Sequence, residues 1–113
     1  MSQSVLIALT VLALVAFWWL KRPTITSSEA RDAVAKGARI IDVRSAGEFA
    51  SGHIAGATNI PVDQLGTRVD ELEPKDAPII LYCASGARSA MATRTLVGKG
   101  FSSVRNLGAM KNW

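Results

Sequence analysis

The sequence predicts an α/β domain on a mainly parallel sheet, preceded by one transmembrane helix. Three observations carry this expectation. Short apolar, β-branched runs alternate with stretches of helical pattern, the signature of strands joined by helical crossovers. The first 20 residues contain no charged side chain. The only cysteine, Cys83, directly follows an apolar strand-like run, where an open α/β sheet places its ligands.

In chain order, residues 5–20 (VLIALTVLALVAFWWL) are apolar apart from Thr10. A bilayer span needs roughly 17–25 such residues. Trp18 and Trp19, then Lys21 and Arg22, resemble an interfacial belt followed by a headgroup anchor. A cleavable signal peptide fits less well, because the leading MSQS has no basic residue and bulky aromatics stand where small residues are wanted. Residues 1–22 are therefore expected as an anchor, with 4–20 in the membrane, and 23–113 as the domain. With all basic flanking charge after the run, the expected placement is single-pass in the inner membrane, the domain facing the cytoplasm.

Residues 23–27 read as a connector. Ser27 or Ser28 can cap a helix to about Lys36, which Gly37 ends. Residues 38–43 (ARIIDV) form a buried-strand candidate, and Glu48 to Gly52 suits one helical turn. A brief strand at 57–60 closes at Pro61, short helices fill 62–72, and EPKDAP breaks them. PIILY, at 78–82, is the second strong strand, followed by a helix at 89–98, a last strand within 101–107 and a final helix from Met110.

Charge and cysteine content exclude several functions. The 113-residue chain is +4, but without Lys21 and Arg22 the remainder has 11 basic against 9 acidic residues, or +2. No basic stripe with interleaved aromatics marks a nucleic-acid surface. One cysteine and one histidine, His53, cannot assemble a zinc site, and one cysteine cannot close an internal disulfide.

Cys83 opens CASGARS between strand and helix. Ala84, Ser85, Gly86 and Ala87 are small enough for the backbone to curl around the sulfur and turn its N–H groups inward as an anion nest. The helix starting near Ser89 adds unsatisfied N–H groups and a positive dipole end. A thiol at that focus has a lowered pKa and becomes a nucleophile, while Arg88 offers a fork of donors to an oxyanion. The competing reading is an inert core cysteine beside a solvated arginine.

CASGARS after a buried strand resembles the active-site loop of rhodanese-like sulfurtransferases. IIDVRSAGEFASGHIAGATNIP is similar to the same family's upstream signature, and VRNLGAMKNW to its closing one, with Ala109 where a second glycine is common. The resemblance covers about residues 24–113. It implies a single rhodanese fold, a twisted, mainly parallel five-stranded sheet with helices on both faces. It also implies a thiosulfate sulfurtransferase in which Cys83 carries sulfane sulfur as a persulfide. Arg88 and the loop residues Ala84, Ser85, Gly86, Ala87 and Ser89 would hold the donor. The acceptor would be cyanide, a thiol or a protein cysteine, and neither metal nor cofactor is expected. Asp42, Arg44 and Glu48 are expected as scaffold, with Arg44 and Glu48 forming an ion pair. His53 is also expected as structural. Alternatives are a membrane-tethered sulfur-relay or interaction module serving a protein partner and, on the same fold, a phosphatase or arsenate reductase. Those enzymes use a C-x5-R loop, whereas Cys83 and Arg88 form the shorter C-x4-R.

Overall fold

A computed structural model describes residues 2–113; Met1, and the side chains of Leu20 and Lys21, lie outside the described set. The elements are α1 (Gln3–Lys21), α2 (Ser27–Ala35), β1 (Arg39–Asp42), α3 (Ala46–Ala50), β2 (Thr58–Asn59), α4 (Val62–Leu65), β3 (Ile79–Cys83), α5 (Ala87–Gly98) and β4 (Val104–Ala109). Two 3-10 turns, Val69–Leu72 and Met110–Asn112, complete them. The strands form one parallel sheet in the order β2-β1-β3-β4.

Strand alternation explains how the core divides. Ile41, Ile79, Leu81 and Cys83 point to one face, where Ala92 and Leu96 of α5 and Leu65 of α4 cover them. Ile40, Ile80 and Tyr82 point to the other, against Ala30 of α2, Ile25 and Leu107. Both faces are thus dry, which is why ARIIDV and PIILY are nearly continuous apolar runs instead of alternating ones. A bulge at Leu81/Tyr82 shifts the β4 register, so Leu81 faces Asn106 while Cys83 faces Ala109.

The helices start where capping chemistry allows. Thr26, one residue before the expected caps, accepts from the Glu29 N–H, and the Glu29 carboxylate accepts from the Thr26 N–H. Ser45 and Glu48 repeat this box at α3, which therefore starts earlier than expected from Glu48.

Two expectations are corrected. The sheet has four strands, not five. The open edge of β4 is met by the connector, but Pro23 has no N–H, and the Asn106 N–H donates to the Thr24 hydroxyl at 2.8 Å, not to a backbone carbonyl. The single backbone bond there, Thr24 N–H to the Asn106 carbonyl at 2.8 Å, does not extend into a ladder.

The transmembrane helix is also unsupported: among the described residues, no helix is long and apolar enough to cross a membrane. The apolar stretch, residues 5–20, has 16 residues. At 1.5 Å per residue it spans about 24 Å, short of a hydrocarbon core of roughly 30 Å. The residues read as a membrane belt instead contact one another and the domain. Trp18 and Trp19 pack edge to face at 5.8 Å, and the Arg22 guanidinium lies 3.8 Å over the Trp19 ring. Trp18 borders a cavity whose wall includes Ser85.

Candidate active site

Cys83 is the last residue of β3, fully buried at the carboxyl end of the sheet. The chain then turns through Ala84 and Ser85, both exposed, to Gly86, whose φ of 107° is left-handed and suits glycine. That conformation turns the Gly86 N–H onto the Cys83 Sγ at 3.0 Å. It also caps α5 at Ala87, two residues before the expected start.

Ser89, buried on the first turn of α5, places its hydroxyl 3.5 Å from Sγ. The same hydroxyl reaches the carbonyls of Gly86 at 3.1 Å and Gly108 at 3.4 Å, tying the loop to β4. Burial by itself pushes the Cys83 thiol up. The Ser89 hydroxyl and the N–H groups of Ser89, Gly86 and Ser85 outweigh it, and the net shift is downward. These hydrogen-bond donors therefore favour the thiolate form of Cys83.

The thiolate ultraviolet absorbance of Cys83, taken as a difference from Cys83→Ser, should titrate with a midpoint below the free-thiol value of about 8.5. A midpoint at or above that value would mean that burial wins. The sign for stability follows. With its folded pKa lowered, Cys83 contributes stability above the unfolded thiol pKa and loses it as pH falls through the folded one.

Arg88, on the first turn of α5, is a third exposed and reaches across to α3. Its Nη1 donates to Glu48 Oε1 at 2.7 Å and its Nη2 to Oε2 at 2.9 Å. The Arg88 guanidinium, with the Ser45 N–H, lowers the Glu48 carboxyl to about 2, so the pair stays charged at any working pH. This corrects the expected Arg44–Glu48 pair. Arg44 turns instead to the buried Asp42, with Nη2 2.7 Å from Oδ2. Asp42 also accepts from the Arg44 backbone N–H at 2.9 Å, and Arg44 Nη2 donates to the Gly52 carbonyl at 2.7 Å. A cavity of about 220 Å³ beside Arg88 is lined by Ser45, Pro61, Val62 and Gln64.

The structure thus gathers Cys83, Gly86 and Ser89 around one sulfur, with Ala84, Ser85 and Ala87 on the exposed rim. Glu48 joins the site through Arg88, while Asp42 and Arg44 lie beneath it. His53 stands apart, stacked 3.7 Å from Phe49 with Nδ1 at the Phe49 carbonyl. Asn59 has a role the sequence reading did not assign. Its amide donates to the carbonyls of Asp42 at 3.0 Å and Arg44 at 2.9 Å, holding the turn after β1. An asparagine between two apolar stretches was the available signal.

Cys83, Gly86, Arg88 and Ser89 all lie within a stretch that matches a known domain family. Residues 26–113 match the model of the rhodanese-like domain. The chain belongs to the rhodanese-like family. It is 35% identical over 107 residues to human thiosulfate:glutathione sulfurtransferase, covering 80% of this chain and 92% of that one. Protein YqhL of Bacillus subtilis is 44% identical over 91 residues, covering 80% and 71%. The solved human single-domain sulfurtransferase TSTD1 superposes with a TM-score of 0.71 at 30% identity, covering 81% and 92%. At family level this rhodanese-like protein is a sulfurtransferase.

Proposed function

We propose that this protein transfers sulfane sulfur from thiosulfate to a thiophilic acceptor in two displacements, through a persulfide on Cys83. The observation carrying the reading is the Cys83 Sγ held by the Gly86 N–H at 3.0 Å and neighboured by the Ser89 hydroxyl. The thiolate attacks the outer sulfur of thiosulfate. The Sγ–S bond forms, the S–S bond of thiosulfate breaks, and sulfite leaves with its electron pair. An acceptor thiolate or cyanide then attacks the outer persulfide sulfur and returns the electron pair to Sγ. The donor is supported by the human relative, whose name states thiosulfate as its substrate. The test is intact mass after thiosulfate, which should rise by one sulfur atom and return to its starting value with cyanide or a thiol. Folded protein that never gains sulfur from thiosulfate would overturn the reading.

Arg88 is the residue proposed to orient the donor. Glu48 occupies one edge of its guanidinium, leaving Nε–H and further N–H groups for an oxyanion. Arg88→Ala should lower kcat/KM for thiosulfate by a barrier of about 1.5–3 kcal/mol, as expected for a lost charged hydrogen bond. Arg88→Lys should recover only part, because an ammonium lacks the fork. Unchanged kinetics in both variants would make Arg88 a scaffold residue.

A further inference from the structure

A second cavity, of about 240 Å³, borders the Cys83 loop through Ser85, where the first borders it through Arg88. Its walls include Trp18, Arg22, Ser85, Gly108, Ala109 and Lys111. Two of these fix its relation to the sulfur. Ser85 is the second residue after Cys83, and Ala109 is the partner of Cys83 across β3 and β4. The cavity therefore opens at the same strand ends as the candidate nucleophile.

Its charge has one sign. Arg22 and Lys111 are exposed, and neither enters an ion pair among the described residues. Among the described residues lining the cavity, none is acidic. Gly108 makes this assembly possible. At φ +84°, a Cβ there would stand 3.2 Å from both Pro23 Cγ and Asn112 Nδ2. Glycine lets the connector lie against the end of β4, which brings Arg22 and Trp18 to the loop.

We propose that this cavity is the acceptor subsite and takes a small thiol bearing a carboxylate. The inference rests on sulfur transfer through Cys83, as proposed above. The volume suits a compact organic thiol and is below that of pockets for larger ligands, about 300–1,000 Å³. The carboxylate lies with Arg22 and Lys111, and the thiolate faces the loop. In the step, the acceptor thiolate attacks the outer sulfur of the Cys83 persulfide. A new S–S bond forms on the acceptor, the Sγ–S bond breaks, and its electron pair restores the Cys83 thiolate.

The test uses the full chain and two probes, 3-mercaptopropionate and the uncharged 2-mercaptoethanol. After loading with thiosulfate, the ratio of their discharge rates at subsaturating thiol is measured for the native protein and for Arg22→Gln/Lys111→Gln. Loss of two exposed charge contacts, each worth a few-fold, should lower the preference for 3-mercaptopropionate about tenfold. An unchanged ratio would overturn the subsite. A second readout needs no chemistry. The thioether 3-(methylthio)propionate, which cannot accept sulfur, should shift the Trp18 indole signal saturably, with assignment from Trp18→Phe, and the double variant should lose the effect. No saturable shift, or an equal one in the double variant, would overturn the subsite whether or not Cys83 loads. Failure to load alone overturns the sulfur-transfer reading instead.

Discussion

Replacing Cys83 by serine is expected to reduce sulfur loading to background while leaving the fold standing. Cys83 is fully buried among Ile41, Leu81 and Ala92, and serine is slightly smaller and keeps a polar atom facing the Gly86 N–H. The hydroxyl does not ionise near neutral pH, because an alcohol is a far weaker acid than a thiol and a few N–H donors cannot close that gap. Nor does oxygen form a stable link to sulfane sulfur. No other cysteine exists to carry the atom. Intact mass after thiosulfate should rise by one sulfur in the native chain and stay constant in Cys83→Ser. Thermal unfolding of the two should agree within a few degrees. A serine variant that still passes sulfur from thiosulfate to cyanide would end the persulfide route.

The position of Cys83 was legible because PIILY is short, apolar and stops at the cysteine, and parallel sheets concentrate ligand sites at such strand ends. The partner of Arg88 was not. Arg44 and Glu48 are four apart, a spacing that makes neighbours only within one helix. Ser45 caps α3, so Arg44 lies outside that helix and turns back to Asp42. Glu48 is left free to meet Arg88, 40 residues further along, a contact no local pattern encodes.

The strand count divides in the same way. Residue patterns identify four strand candidates, and the structure contains four. The fifth came from the family resemblance, with no position of its own; at the open edge of β4, Pro23 lacks an N–H and the Asn106 N–H goes to the Thr24 hydroxyl, so no ladder forms there. At the N-terminus, freedom from charge was legible, but the apolar run of residues 5–20 falls short of a span. Gln3 and Ser4 belong to α1 without adding to its apolar stretch, and Trp18 and Trp19 lie close to the domain connector.

Asp42→Ala is expected to cost about 3–5 kcal/mol of folding stability, the range for breaking a buried ion pair by removing one partner. Asp42 has no exposed surface and Arg44 only 7%. Removing the carboxylate takes away acceptors for Arg44 Nε at 3.0 Å, Nη2 at 2.7 Å and the backbone N–H at 2.9 Å. The guanidinium then stays buried beside the Gly52 carbonyl and Tyr82, neutral groups that do not replace the carboxylate. The neighbouring Tyr82 phenol cannot substitute as an anion, since burial pushes its pKa up. Denaturant unfolding measures the cost. A loss below about 1 kcal/mol would mean that water enters and the pair behaves like a surface bridge. The double variant Asp42→Ala/Arg44→Met discriminates further: with both charges gone it should lose less than Asp42→Ala alone, because the penalty lies in the unpaired cation and not in the absent bond. The damage should also reach the sulfur chemistry. Asn59 grips the carbonyls of Asp42 and Arg44, the chain continues directly into the Ser45 cap, and that helix carries Glu48 to Arg88. Loosening the Asp42 turn should therefore raise KM for thiosulfate in molecules that remain folded, although Asp42 itself lies beneath the sulfur site.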